Sequence, residues 1–273
     1  MSVAEKLGAL RARLRGLGSV LVCYSGGVDS AFLLAVAHEQ LGARAIGMTA
    51  VSPSLPRSEK EAAVALATRI GAQHRLVQSQ EIDQDSYAAN GADRCFHCKS
   101  ELYRIAAERR AAWGIDAICN GTNIDDLGDY RPGLEAAKDA GVVSPLVELS
   151  FSKNDVRAAA EQIGLEVWDK PASACLASRI PYGTRVTRER LAQVETLEAA
   201  LKGLGFQQVR VRYHDEIARI EVDQSELVRA AELGERIVDA GKDAGFRYIT
   251  LDLGGYRRGS HNEVLVGRSL RVV

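Results

Sequence analysis

No run of about 18 uncharged apolar residues occurs in the 273-residue sequence, so a membrane-crossing helix is not expected. Nor does a basic N-terminal segment lead into a continuous apolar stretch, as a secretory signal would. Neither sign of charge dominates: 35 Lys and Arg stand against 36 Asp and Glu, for a net charge of −1. A surface built for bulk neutralisation of nucleic-acid phosphates is therefore not indicated. Paired disulfides are not indicated either, because Cys23, Cys95, Cys98, Cys119 and Cys175 form an odd set without a secretion signal. Such a set points to reduced thiols or metal ligands in a cytoplasmic protein. What is present, 46% apolar and 26% charged residues, is the makeup of a globular chain of one large or two modest domains.

Leu7, Leu10, Leu14 and Leu17 recur at helical spacing among Lys and Arg, which predicts an amphipathic surface helix. Strand and helix patterns then alternate. Strands are expected at 19–24, 43–50, 74–78, 115–120 and 142–147, with helices at 28–41, 57–70 and 100–112. This order predicts an α/β domain with a parallel sheet, whose ligands bind at the carboxyl ends of the strands. Ser152-Lys-Asn-Asp155 reads as a capping box opening a helix that runs to Ile163. Between Lys170 and Thr187 the periodicity stops in a segment with two Pro, one Gly and several small residues. The junction is expected there, with residues 1–180 as an N-terminal domain and 181–273 as a smaller αββαβ module.

The sharpest motif is Ser25-Gly-Gly-Val-Asp-Ser30, directly after an apolar strand and before a helix. Small residues let backbone N–H groups at a helix N-terminus approach an anion closely. The lysine of a Walker A loop is missing. A second cluster, residues 121–133, places Asp125, Asp126 and Asp129 beside Arg131 after the fourth strand, a set suited to magnesium and phosphate. Cys95 and Cys98 stand at C-x-x-C spacing, and Cys175 lies far along the chain with Lys170 and Arg179 nearby in sequence. Cys23 and Cys119, inside expected strands, read as small buried hydrophobes. The other three, placed in loops by this reading, admit three interpretations: a zinc site completed by His97, a redox pair that leaves Cys175 aside, or three thiolates around a [4Fe–4S] cluster with one open iron. The cluster is favoured.

The Ser25–Ser30 motif resembles the PP-loop of ATP pyrophosphatases, which implies that Ser25, Gly26, Gly27 and Ser30 hold pyrophosphate and that Asp29 helps bind magnesium. Taken with the R-C-F-x-C-K segment at 94–99, the G-T-N-x-D-D-x-x-D-x-R-P-G loop at 121–133 and P-A-S-A-C-L-A-S-R-I-P-Y-G at 171–183, the whole chain is similar to the LarE family. These ATP-dependent sulfur-insertion enzymes serve nickel-pincer nucleotide synthesis. The resemblance implies ATP and Mg2+ as cofactors, Asp125 and Arg131 at the nucleotide, and adenylylation of a carboxylate of pyridinium-3,5-biscarboxylic acid mononucleotide. Sulfur then opens the acyl adenylate. Cys175 matches the cysteine that gives up its sulfur in the sacrificial version, whereas Cys95, Cys98 and Cys175 together match members read as cluster-binding. Ser178, Arg179 and Arg185 in the matched loop are candidates for the substrate phosphate, and Glu195, Arg210 and Arg212 further on, near Glu221, are candidates for substrate binding. Arg210 and Arg212 share one face of a strand. A homo-oligomer, a hexamer in the family, is implied as well. Two other PP-loop chemistries compete: tRNA thiolation, against which the near-neutral charge speaks, and amide synthesis, which needs an ammonia source.

Overall fold

The computed structural model describes residues 1–128, 132–171 and 173–257. They form two compact units, one of residues 1–81 and 95–173, the other of 82–94 and 174 onward.

In the first unit α1 (Val3–Arg15) precedes β1 (Val20–Cys23), α2 (Val28–Leu41), β2 (Ala45–Val51), α3 (Arg57–Ile70) and β3 (Gln73–Gln78). After α4 (Asp85–Ala88), which belongs to the second unit, come α5 (Arg94–Trp113), β4 (Ala117–Cys119), α6 (Pro132–Asp139), α7 (Pro145–Glu148) and α8 (Lys153–Gln162). The strands make one parallel sheet in the order β3-β2-β1-β4. Strand alternation divides its core. Val20 and Val22 pack with α1, α2, α3 and α8, whereas Leu21, Met48 and Ile118 pack with Ile105 and Ala106 of α5. The chain runs outward from β1 to β3 and returns to the other side of β1 as β4. Their carboxyl ends therefore flank the point where strand order reverses, the usual ligand crevice of such sheets.

Two expectations fail here. The strand expected at 142–147 is only an isolated bridge between Cys119 and Val143, because Pro145 takes the first position of the short helix α7, a place where its missing N–H costs nothing. The helix expected from Ser100 starts at Arg94, so Cys95 and Cys98 lie on its first turns and not in a loop.

The second unit holds α4, α9 (Arg188–Gly203), β5 (Val209–His214), β6 (Ile217–Val222), α10 (Leu227–Glu232), α11 (Gly234–Asp243) and β7 (Tyr248–Leu251). Its sheet, in the order β5-β6-β7, is antiparallel between β5 and β6 and parallel between β6 and β7. Leu191, Val194, Leu197 and Leu201 of α9 are buried in this unit.

Candidate functional site

In the first unit the site begins where β1 ends. Gly26 takes φ +75°, a left-handed conformation that glycine adopts without penalty, and a Cβ there would lie 2.8 Å from Ala63 Cβ. Gly27 caps α2 without any side-chain bond, so the first-turn N–H groups that an α-helix cannot satisfy internally face outward. Ser30 Oγ accepts from Ser25 N–H at 3.1 Å and donates to the Gly27 carbonyl at 3.1 Å, closing the loop on itself. Gly121, just past β4, has to be glycine for a steric reason: a Cβ would sit 2.7 Å from Ser30 N and 2.9 Å from Asp29 C. The loop after β4 thus lies directly on the α2 N-terminus.

Asp29 is held from two sides. Asn123 Nδ2 donates to its Oδ1 at 3.1 Å, and Lys153 Nζ forms an ion pair with Oδ2 at 2.5 Å. Asp125 is exposed and accepts the Lys153 backbone N–H at 2.7 Å through one oxygen, so it helps to seat α8. The predicted capping box is present: Ser152 and Asp155 exchange bonds, and Lys6 lies 2.7 Å from Asp155. The hydrogen bond from Lys6 and then that from the Ser152 backbone hold the Asp155 carboxyl at about 2. Lys170 Nζ reaches Glu59 at 2.8 Å and the Gly26 carbonyl at 3.4 Å. Arg131 and Asp129 lie outside the described residues.

The second unit organises Cys175. Its carbonyl accepts from Ser178 N–H at 3.0 Å, Ser178 Oγ at 2.8 Å and Arg179 Nη1 at 2.9 Å, while its thiol is exposed. Arg179, nearly fully buried, donates Nε and Nη2 to the two oxygens of Glu198 and Nη1 to the Ala174 carbonyl as well. Its charge is therefore matched, and its guanidinium positions the turn. Arg94, on the N-terminal side of Cys95, also serves this turn: it donates to the Ala177 carbonyl at 2.9 Å and to Asn90 Oδ1. Asn90 Nδ2 in turn donates to the carbonyls of Pro181 and Thr184.

Arg212 is matched too, by a two-pronged pair with Glu221 at 3.0 and 2.8 Å. Arg210 is different. Only 9% exposed, it donates to the Val209 carbonyl and lies 5.3 Å from the Tyr256 ring. Among the described residues it has no ion pair. Burial first, then the neighbouring Arg179 guanidinium, pull Arg210 below the usual guanidinium range. Arg185 is exposed on Asp85 at 2.6 Å, and Glu195 is half-buried on α9. The buried carboxylate of that helix is Glu198, a residue the sequence reading passed over although it sits on the face of Val194, Leu197 and Leu201, where a charge signals a buried partner.

Cys119 is buried and its thiol is pushed up to about 12 by burial. Cys23 is half-buried against the core. Cys95 is exposed and Cys98 intermediate, one turn apart at the start of α5; they belong to the first unit and Cys175 to the second. Among the described residues no group of three His, Cys, Asp or Glu is gathered to hold a metal ion. A groove of about 700 Å³ between β3 and α5 is lined by Arg75, Arg104 and Trp113. Two of its cations are engaged, Arg75 over the Trp113 ring and Arg104 with Glu101 and Glu108, and it lies apart from the loops that follow β1 and β4.

Residues 6–86 match the asparagine synthase family. An uncharacterized protein of Synechocystis sp. is 46% identical over 264 residues, covering 96% of this chain and 98% of its own. The pyridinium-3,5-bisthiocarboxylic acid mononucleotide synthase of Lactiplantibacillus plantarum is 37% identical over 270 residues, 98% of each chain. The tRNA-specific 2-thiouridylase MnmA of Rickettsia africae is 28% identical over 192 residues, 57% of this chain and 52% of that one.

Proposed function

Because the chain belongs to the LarE family, that of the pyridinium-3,5-bisthiocarboxylic acid mononucleotide synthase, we propose that it is an ATP-dependent sulfur transferase converting a carboxylate of the biscarboxylated pyridinium mononucleotide to a thiocarboxylate. The observation that carries this reading is the exposed Cys175 thiol on a turn whose carbonyl takes three donors.

A carboxylate is a poor electrophile until a good leaving group is installed. In the first step its oxygen attacks the α-phosphorus of ATP and pyrophosphate departs. The open α2 N-terminus, with Ser25, Gly26, Gly27 and Ser30, supports that anion through oriented N–H and hydroxyl groups. Asp29 is a fitting magnesium ligand, since a cation already pairs with one of its oxygens. Bound there, the ion would offset charge on the phosphates. Asp125 and Arg131 complete the proposed nucleotide set.

In the second step the Cys175 thiolate attacks the acyl carbon and AMP leaves, giving a thioester. Loss of the Cys175 α-proton with breakage of its C–S bond then releases the thiocarboxylate and leaves dehydroalanine. Three accessible thiols, Cys95, Cys98 and Cys175, also suit a [4Fe–4S] cluster in the chemistry of their donors. Such a group would supply sulfide in place of the cysteine sulfur. For the substrate phosphate, Arg210 is a buried cation with no ion pair among the described residues, near Arg179 and Arg212, and Ser178, Glu195 and Arg185 complete the proposed substrate set. The working form is a homo-oligomer.

The test combines pyrophosphate release with intact-protein mass spectrometry. Release should require the pyridinium compound. The Cys175→Ala variant should still release pyrophosphate and form no thiocarboxylate. After turnover the sacrificial route predicts a loss of about 34 Da, the mass of H2S; unchanged mass over many turnovers with stoichiometric iron favours the cluster. Thionucleosides appearing with tRNA, and no adenylate formed with the pyridinium compound, would replace this reading with tRNA thiolation.

A further inference from the structure

Lys153 carries no motif of its own, yet it faces the one carboxylate of the phosphate loop. Its main chain is fixed: the backbone N–H donates to Asp125 at 2.7 Å, and the preceding Ser152 is locked in the capping box. Its side chain is not fixed in the same way. The ammonium is one-third exposed, and its partner is Asp29 Oδ2 at 2.5 Å. Asn123 holds the other oxygen, so both oxygens of Asp29 are engaged, and a divalent ion arriving at Oδ2 meets the positive charge of the ammonium already there.

Of the two donors, the ammonium is the one able to leave. An ion pair this accessible to water contributes little, so exchanging it costs little, whereas a buried pair would be held by the penalty of stranding one charge. The lysine stem pivots from a pinned backbone on the same side as the α2 N-terminus, because Asp29 lies in the first turn of α2. A compact ammonium is also suited to phosphate oxygens.

We propose that Lys153 is the resident counter-ion of Asp29 and changes partner when a nucleoside triphosphate and a divalent cation arrive. Asp29 passes to the divalent ion, and the Lys153 ammonium passes to the phosphate oxygens, where it offsets the charge that grows on departing pyrophosphate. The exchange rests on the ATP reading of this loop. It makes Lys153 a competitor for the metal in the nucleotide-free protein and a helper once nucleotide is bound, two effects of opposite sign on one side chain.

Manganese titrations followed by electron paramagnetic resonance read the first effect, and calorimetry with α,β-methylene ATP and magnesium reads the second. Without nucleotide, Lys153→Met should bind Mn2+ about two- to five-fold more tightly than the unsubstituted protein, and Asp29→Asn should lose that binding. With the analogue, Lys153→Met should bind about ten-fold more weakly and Lys153→Arg should recover most of the difference. Equal or weaker Mn2+ binding by Lys153→Met, with analogue binding intact in the unsubstituted protein, would overturn the exchange alone. Failure of every form, unsubstituted protein included, to bind the analogue would remove the ATP reading and the exchange with it. The substitution changes a partly exposed side chain and leaves the backbone bond to Asp125, so unaltered thermal unfolding is the expected control.

Discussion

The surroundings of Asp29 in the first unit and of Cys175 in the second handle charge in opposite ways. Around Asp29 the pair with Lys153 is open to water, with side chains 33% and 24% exposed. Around Cys175 the pairs are sealed: Arg179 and Glu198 are 2% and 6% exposed, Arg212 and Glu221 9% and 1%. Exposed pairs are weak and exchangeable, while buried two-pronged pairs cannot lose one member without stranding the other. The first arrangement suits the proposed nucleotide loop, which accepts and releases a charged ligand. The second suits the role proposed for the Cys175 turn, to present one thiol in one place.

The contrast breaks most visibly if Glu198 becomes Gln. The buried Arg179 guanidinium then loses its counter-charge, and the Val211 N–H that also donates to Glu198 at 3.0 Å loses a charged acceptor. A destabilisation of about 3–5 kcal/mol is expected by denaturant unfolding, against about 1 kcal/mol or less for Lys153→Met. Equal effects would erase the distinction. Gly121→Ala comes next. Its Cβ would meet backbone atoms of Asp29 and Ser30, which cannot rotate away, and about 1–3 kcal/mol of stability should go together with nucleotide affinity. A smaller effect than at Gly121 is expected at the capping box, where Asp155→Asn should cost about 1 kcal/mol. Because the folded Asp155 carboxyl is depressed to about 2 from 3.8, its contribution is present above the unfolded value and is lost as pH falls toward about 2. Acid unfolding of the variant should show a shallower pH dependence in that window.

Much of the fold was legible because its signals are local. Four of the five expected strands form the parallel sheet, the leucines of α1 are buried as their spacing implies, and small residues marked the turn after β1. What stayed hidden depends on distance along the chain. The Ser152–Asp155 cap could be read directly, but the lysine inside it gains meaning only from Asp29, 124 residues away. The start of α5 was missed because Arg94 to Cys98 shows no apolar periodicity; Arg94, itself part of the second unit, donates to the Ala177 carbonyl and to Asn90. The apolar pair Val142-Val143 looked like a strand because short apolar runs do not distinguish strand from helix, and Pro145 decided the matter. Arg210 and Arg212 share β5 as read, yet the sequence does not show that Glu221, opposite Arg210 in the register, gives both its oxygens to Arg212.

The anchoring of residue 175 has one more consequence. Among the described residues, the bonds that fix its turn pass through carbonyl oxygens and through Ser178, Arg179 and Arg94, and none passes through sulfur. On the proposed sacrificial route the sulfur is therefore cargo carried by the architecture and no part of it. A chain that has surrendered this sulfur keeps all of those anchors, so spent and fresh protein should unfold at the same temperature and differ only in what they have left to give.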